Sequence, residues 1–223
     1  MRIDAASQLD IRPARLVSVQ PANSGTASRW SPERLGEMDL FGSQPSIALG
    51  FRYEPDRISH AAQIALIREI KELPLEAFDF HGFKANRRVI SFGWRYDFAS
   101  ARLARTDPIP EWLLPLRQEV VHFAEGHAED FAQVLISEYA PGAGIGWHKD
   151  KAVFGRVVGV SLGAPCPLRL RKAADNGKWL RAQQEISPGS MYLLDGEVRT
   201  EWEHSIAPVA LLRYSLTFRT LKA

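Results

Sequence analysis

Short strand-like segments follow one another from residue 133 to the end of the chain, separated by Gly, Pro and Asp-Gly turns. This succession constrains the fold more than any other feature of the sequence. Eight short strands in a row are typical of a double-sheet jelly roll. The predicted strands cover residues 133–139, 145–148, 157–162, 168–171, 179–186, 191–194, 200–206 and 212–220.

Two helices are expected before these strands. Ile58, Ala62, Leu66 and Ile70 recur at helical spacing after a start expected at Asp56, so the first helix has one apolar face. A second helix is expected after residues 108–110, and a short strand over residues 47–51 precedes both. The sequence therefore predicts an α+β, mainly β fold, with a jelly-roll core and the N-terminal helices packed on one sheet.

Composition sets broad limits on the class of protein. The 223 residues are 45% hydrophobic, and the net charge of +2 is too small to indicate nucleic-acid binding by itself. One cysteine, Cys166, excludes an internal disulfide, and no apolar run reaches the ~18 residues that span a bilayer. We expect a cytoplasmic monomer without membrane contact, in which residues 41–223 form one domain and residues 1–40 a poorly ordered or wrapping arm.

A His-x-Asp pair ends the segment SEYAPGAGIGWHKD, which runs from Ser137 to Asp150. Residues two apart in a strand point to the same face, so His148 and Asp150 can bind one metal ion together. The best candidate for a third ligand is His204. Two histidines and one carboxylate form the facial triad of non-haem Fe(II) oxygenases, which leaves open positions on the metal.

The final strand, RYSLTFR, places two arginines on one face. Arg213, Ser215, Thr217 and Arg219 alternate with apolar side chains that share the other face. If the polar face lines the metal pocket, both guanidinium groups need anionic partners, because an unpaired buried charge is very costly. A small dicarboxylate with the shape of 2-oxoglutarate would pair with both arginines and reach the metal.

From about residue 41 onward the chain resembles the AlkB-like Fe(II)/2-oxoglutarate-dependent dioxygenases. The likeness rests on several motifs together: YAPGAGIGWHKD at 139–150, SLG at 161–163, Gly-Ser at 189–190, Gly196 and Arg199 ahead of WEH at 202–204, and RYSLTFR at 213–219. The family has a double-stranded β-helix core with helices on one side. The resemblance implies Fe(II), 2-oxoglutarate as cosubstrate and O2.

The resemblance also implies individual roles. His148, Asp150 and His204 would be the catalytic metal ligands. Arg213 would pair with the distal carboxylate of 2-oxoglutarate, together with Tyr139, and Arg219 would lie near the metal-chelating end. The family usually carries Asn two residues before this Tyr and two residues after the first Arg. Ser137 and Ser215 occupy those positions here and are candidate cosubstrate contacts with shorter reach.

Aromatic and basic residues alternate over residues 77–98. Such a mixture can stack a base and hold its phosphate, although strands favour aromatic residues in any case. In AlkB-like proteins the matching region forms a substrate lid ahead of the catalytic core, here residues 133–223. We expect Trp94 and Tyr96 to act as lid residues and Arg87 and Arg88 to contact the substrate backbone. A turn is expected at residues 84–86.

Two further features bear on the substrate. Some nucleobase-acting members have an acidic residue two positions after the metal Asp, whereas this chain has Lys151-Ala152 there, so those base contacts do not transfer directly. A basic hairpin could track a phosphate backbone or could be a solvated surface. Its cationic residues are Arg169, Arg171, Lys172, Lys178 and Arg181.

Together these features predict oxidative demethylation of alkylated nucleobases in DNA or RNA, with nucleic acid as the partner. Two alternatives remain open at this point. One is the same oxygenase chemistry on a methylated protein or a small molecule. The other, of a different class, is a non-catalytic jelly-roll module that holds a metal for structure.

Overall fold

The computed structural model describes residues 47–80, 83–98, 100–175 and 177–222, so the predicted arm at residues 1–40 lies outside the described residues. The helices are α1 (His60–Lys71), α2 (Leu114–Ala124) and α3 (Gly196–Thr200). The strands are β1 (Phe51–Glu54), β2 (Glu76–Phe80), β3 (Phe83–Phe92), β4 (Trp94–Asp97), β5 (Arg102–Arg105), β6 (Gln133–Tyr139), β7 (Ile145–His148), β8 (Phe154–Gly163), β9 (Cys166–Ala173), β10 (Trp179–Ile186), β11 (Met191–Leu194), β12 (Glu203–Ile206) and β13 (Arg213–Leu221).

Two antiparallel sheets form the core of the molecule. The major sheet has seven strands in the order β1-β11-β8-β13-β6-β3-β2, and the minor sheet has four in the order β10-β9-β12-β7. A shared apolar layer between them includes Leu168 and Leu170 of the minor sheet and Val157 and Leu194 of the major sheet. This arrangement confirms the predicted jelly-roll core.

The other face of the major sheet carries the two long helices. Ala62, Leu66 and Ile70 repeat every four residues on α1 and are buried against the sheet, as the periodicity predicted. Leu116 and Val120 of α2 enter the same apolar cluster. The helices therefore stabilise one sheet and leave the space between the two sheets free for a site. No helix in the described residues has the length and apolar character needed to cross a membrane.

Some predicted boundaries near the start of the chain were wrong. The first strand begins at Phe51 rather than residue 47. Helix α1 is capped by Ser59, whose hydroxyl accepts a hydrogen bond from the amide of Ala62, and Asp56 instead adopts a left-handed conformation with φ 54°. Both residue types are good caps, and only the backbone path distinguishes them.

The region predicted as a lid is divided between two structures. The turn expected at residues 84–86 was wrong, because these residues lie inside β3, and β2 and β3 extend the major sheet. Gly93, with φ +79°, ends β3; a side chain there would meet the carbonyl of Ala132. Strands β4 and β5 then form a separate two-stranded hairpin, so Trp94–Asp97 is the part of the predicted lid that stands apart from the main sheets.

Candidate metal and cosubstrate site

Two histidines face each other on neighbouring strands of the minor sheet. His148 on β7 and His204 on β12 are paired in register, and their ring centres lie 4.2 Å apart. Nδ1 of His148 lies 2.8 Å from the carbonyl oxygen of Gly146. When Nδ1 donates its proton to that carbonyl, Nε2 keeps a free lone pair for a metal ion.

Asp150 lies just beyond the end of β7 and is held by Arg219 of β13. Two nitrogens of Arg219 lie 3.0 and 2.7 Å from Oδ1 of Asp150, and a third donates to the side-chain oxygen of Gln133 at 3.0 Å. The second carboxylate oxygen, Oδ2, lies 3.8 Å from Nε2 of His204. Arg219 thus occupies one oxygen of Asp150 and leaves the other facing the two histidines.

The protonation states of these groups follow from burial and charge. Burial, reinforced by His148, lowers the pKa of His204 to about 3, and burial also lowers the pKa of His148. Burial alone would raise the pKa of Asp150, but nearby positive charge, above all that of Arg219, outweighs it and holds that pKa well below its usual range. The site therefore presents two neutral imidazoles and one carboxylate, which are the forms that bind a metal.

The chemical types of these three donors fit Fe(II), although their donor atoms do not converge on one point. Within the described residues, no three His, Cys, Asp or Glu side chains are arranged closely enough around one point to hold a metal ion without adjustment. His148, Asp150 and His204 are nevertheless adjacent and line the same cleft. Two imidazoles and one carboxylate are the donors of a non-haem iron site.

A polar wall on the major sheet faces this group. Directly opposite residues on neighbouring strands point the same way, and Arg87, Tyr139 and Arg213 are opposite one another on β3, β6 and β13. Two residues farther along the same strands, and on the same face, Ser137 and Ser215 form the next pair of opposite residues. The predicted polar face of the last strand therefore does point between the sheets.

Arg213 is fully buried, and within the described residues none of its three guanidinium nitrogens has a hydrogen-bond partner. Its guanidinium carbon lies 5.2 Å from the centre of the Tyr139 ring, an attraction that offsets only part of the cost of burying a charge. A buried, unpaired guanidinium beside a tyrosine can bind a carboxylate.

The two arginines of β13 differ more than the sequence suggested. Both were expected to need an anionic ligand, but Arg219 already has Asp150 and Gln133 as partners. Of the two, Arg213 alone lacks a hydrogen-bond partner among the described residues. The guanidinium at one end of the strand therefore holds a protein carboxylate, and the one at the other end is left for an external anion.

A cleft of about 1370 Å³ opens above the two histidines. The β4–β5 hairpin forms part of its wall through Tyr96 and Phe98, and the ammonium group of Lys151 lies 5.0 and 4.9 Å from their ring centres. Lys151 immediately follows Asp150, so these contacts connect the hairpin to the metal residues.

Of the four predicted substrate residues, two line the cleft and two do not. Among the described residues, the cleft is lined by Tyr96 and Arg87 but not by Trp94 or Arg88. Trp94 instead stacks with Arg105 across the hairpin. Arg88 points to the opposite face from Arg87 and forms a two-pronged ion pair with Glu138 at 2.8 and 3.0 Å.

Three residues important to the geometry were missed as site residues. Tyr192, on the buried strand β11, lines the cleft, and burial raises its pKa above the usual range. Gln133 supports Arg219. Arg199 donates to the carbonyls of Lys151, Phe154 and Gly155 and so holds the loop that follows Asp150. A lone tyrosine in an apolar strand carries no periodic signal, whereas Arg199 was already part of the family likeness.

Comparisons with known proteins agree with this geometry. The family model of the 2OG-Fe(II) oxygenase superfamily matches residues 51–219. The alkylated DNA repair protein ALKBH8 homologue of Arabidopsis thaliana is 24% identical in an alignment of 145 residues that covers 55% of this chain. The same alignment covers 42% of that relative, so the chain spans less than half of its length.

The solved structure of OsALKBH1 matches with a TM-score of 0.60 at 17% identity, covering 77% of this chain and 96% of that one. This likeness shows a shared fold. The superfamily match extends over most of the chain and includes both histidines, the carboxylate and both arginines of the site. The chain therefore belongs to the 2OG-Fe(II) oxygenase superfamily, whose cofactors are Fe(II), 2-oxoglutarate and O2, and its similarity to two AlkB homologues agrees with the predicted resemblance.

Proposed function

We propose that this dioxygenase demethylates alkylated nucleobases in nucleic acid. The cleft above the metal residues carries the proposal. Its volume of about 1370 Å³ exceeds what a small cosubstrate needs, and its wall contains two aromatic rings and a cation, Tyr96, Phe98 and Lys151. Aromatic faces stack bases, and cations attract phosphates. The name of the Arabidopsis relative, an alkylated DNA repair protein homologue, supports the same substrate class.

In this proposal His148, Asp150 and His204 hold Fe(II). With 2-oxoglutarate and O2, the bound iron supplies the oxidising power that breaks a substrate C–H bond. The protein's own task is to keep these ligands in position. The carbonyl of Gly146 orients the His148 ring, and Arg219 keeps the Asp150 carboxylate ionised and directed toward the histidines.

The cosubstrate carboxylate remote from the metal pairs with Arg213 beside Tyr139. Ser137 and Ser215 lie in the next row of the same wall and offer hydroxyl groups to the cosubstrate. Serine is shorter than the asparagine usual in the family, so their contacts are fewer or pass through water.

The β4–β5 hairpin acts as the lid over the substrate. Tyr96 and Phe98 meet edge to face with centres 5.1 Å apart and form one aromatic surface at the cleft. Arg87 lines the same cleft next to Tyr139, where it can contact the substrate backbone. A base in a duplex would first have to be flipped out to reach the metal.

The test measures succinate and formaldehyde with Fe(II), ascorbate and 2-oxoglutarate, using oligonucleotides that contain 1-methyladenine or 3-methylcytosine. His148→Ala serves as the blank, because it removes one metal ligand on a strand that is otherwise unchanged. Formaldehyde in proportion to succinate is the expected result.

Other outcomes identify the alternatives. Formaldehyde from a methylated protein or small molecule, and none from the oligonucleotides, would assign the same chemistry to another substrate. Metal binding without any succinate, under every condition, would indicate a non-catalytic module and contradict the proposal.

A further inference from the structure

The outer face of the minor sheet carries tryptophan and arginine side chains in alternation. The guanidinium carbon of Arg171 lies 4.4 Å from the ring centre of Trp147 and 4.2 Å from that of Trp179. Arg169 lies 5.3 Å from the Trp147 ring. Arg181 is directly opposite Arg171 on β10 and shares its face. We call these five residues the tryptophan–arginine track.

The track lies on the solvent side of the sheet. Leu168 and Leu170, which alternate with its arginines on β9, are buried between the sheets. Trp179 keeps 40% of its surface exposed, so the face of its indole turned away from Arg171 is available to a ligand. An exposed, stacked tryptophan contributes little to the core of the protein.

The structure separates the cations of this hairpin into two groups. Lys172 points away from the track and forms ion pairs with Glu197 and Glu201 at 3.1 and 2.5 Å. On the track itself Arg171 pairs with Glu203 at 2.6 Å, which fixes the guanidinium between the two indoles. Arg169 donates to a neutral hydroxyl and retains its charge for a ligand.

The tryptophan–arginine track begins next to the cleft. Trp147 and His148 are neighbours on β7, which is the edge strand of the minor sheet, and their side chains point to opposite faces. Trp147 is also one of the residues that line the cleft. A chain that leaves the cleft around this edge meets Trp147 first. Strand spacing places β9 about 10 Å farther on and β10 about 14 Å farther on.

We propose that the track binds the single-stranded nucleic acid that flanks the nucleotide held in the cleft. This inference rests on the proposed function, because it extends the same substrate beyond the cleft. Alternating aromatic and cationic groups match alternating bases and phosphates. Stacking on tryptophan needs unpaired bases, so the ligand is a single strand rather than a duplex.

The first experiment measures anisotropy of fluorescein-labelled, unmethylated oligothymidylates of about 12 and about 3 nucleotides, lengths chosen to cover the track or the cleft alone. Trp179→Ala removes one stacking platform and should raise the Kd of the longer strand about tenfold. The Kd of the shorter strand should change less than about twofold, because it does not reach Trp179.

Leu180→Ala is the matched control. Leu180 is the next residue on β10, is 48% exposed, and points away from the track. Its replacement should leave both affinities unchanged. Thermal unfolding of both variants should resemble that of the unmodified chain, because both residues are exposed.

Salt dependence provides a second, independent readout. Arg181→Gln removes one phosphate contact, so the slope of log Kd against log salt concentration should fall by about 0.7 for the longer strand. Trp179→Ala removes stacking rather than charge and should leave that slope unchanged.

The possible failures can be told apart. If the unmodified chain binds the longer strand and releases formaldehyde, but Trp179→Ala and Arg181→Gln bind equally well, the track is refuted and the proposed function stands. If the variants weaken binding of poly-glutamate and not of the oligonucleotide, the surface is a protein-binding site and the track is again refuted. If length-dependent binding changes as expected but no methylated oligonucleotide yields formaldehyde, the track stands and the proposed reaction is wrong.

Discussion

Replacing Arg213 should make the cosubstrate-free protein more stable. Its guanidinium is fully buried and has no hydrogen-bond partner in the described residues. The free-energy cost of removing this charge from water is therefore offset only by its contact with the Tyr139 ring. An uncompensated buried ion costs several kcal/mol, of which a desolvated cation–π contact returns about 2 kcal/mol. Arg213→Met keeps a long side chain in place and removes the charge.

The expected gain can be estimated from comparable changes. Replacing a buried ion pair by well-packed apolar side chains ranges from neutral to stabilising by about 1–4 kcal/mol. A gain of about 2 kcal/mol corresponds to a rise in Tm of about 4–8 °C for a domain of this size. Binding of 2-oxoglutarate should reverse the order, because a ligand at about 100 times its Kd adds about 2.7 kcal/mol to the unmodified protein and little to the variant.

Arg199→Met is the matched control for a buried arginine. Arg199 is also almost fully buried, but it donates to three backbone carbonyls at 2.7–2.8 Å. Its removal leaves those carbonyls unpaired, at about 1–3 kcal/mol each. The same substitution should therefore lower Tm at residue 199 and raise it at residue 213.

The assay is thermal unfolding of anaerobic, Fe(II)-loaded protein with and without 2-oxoglutarate. Two results would refute the reasoning. A lower Tm of Arg213→Met without cosubstrate would mean that the guanidinium is already compensated. An undiminished rise in Tm on adding 2-oxoglutarate would mean that the anion binds elsewhere.

Three further predictions concern neighbouring contacts. Arg219→Gln leaves the Asp150 carboxylate buried and unpaired, so the free energy of unfolding should fall by about 3–5 kcal/mol in urea titrations; an unchanged midpoint would contradict this. Lys151→Gln removes the cation between the two hairpin rings and should speed amide exchange over residues 94–105, and an equal change in other strands would indicate a global effect instead. Gly159→Ala would place a methyl carbon 2.1 Å from the nearest atom of the Tyr192 ring. The ring should move into the cleft and raise the Kd for 2-oxoglutarate. An unchanged Kd would show that Tyr192 does not shape the cosubstrate pocket.

Much of the site could be predicted from the sequence because strands repeat every two residues. The spacing of Arg213 and Arg219 is enough to assign both to one face of β13, whereas Asp150 lies just beyond the end of β7, so its direction does not follow from a strand repeat. The apolar repeat of α1 likewise identified its buried side. These are local properties of the sequence, so they do not depend on the rest of the fold.

Pairing between distant segments decided the rest. Adjacent arginines, Arg87 and Arg88, look equivalent in the sequence, but β3 joins the major sheet and turns one toward the cleft and the other toward Glu138. Arg219 has a carboxylate partner and Arg213 has no hydrogen-bond partner among the described residues, because only the fold brings Asp150 to one end of β13. The tryptophan–arginine track assembles from three strands.

The sequence by itself predicted the fold class, the candidate metal ligands and the shared face of the two arginines on the last strand. The tertiary structure decided which charges are compensated and which surfaces are continuous. The physical reason is that side-chain direction follows from the local backbone repeat, whereas charge compensation depends on contacts between residues far apart in the chain. Asp150 and Arg219 are 69 residues apart, so no local sequence pattern predicts the ion pair between them.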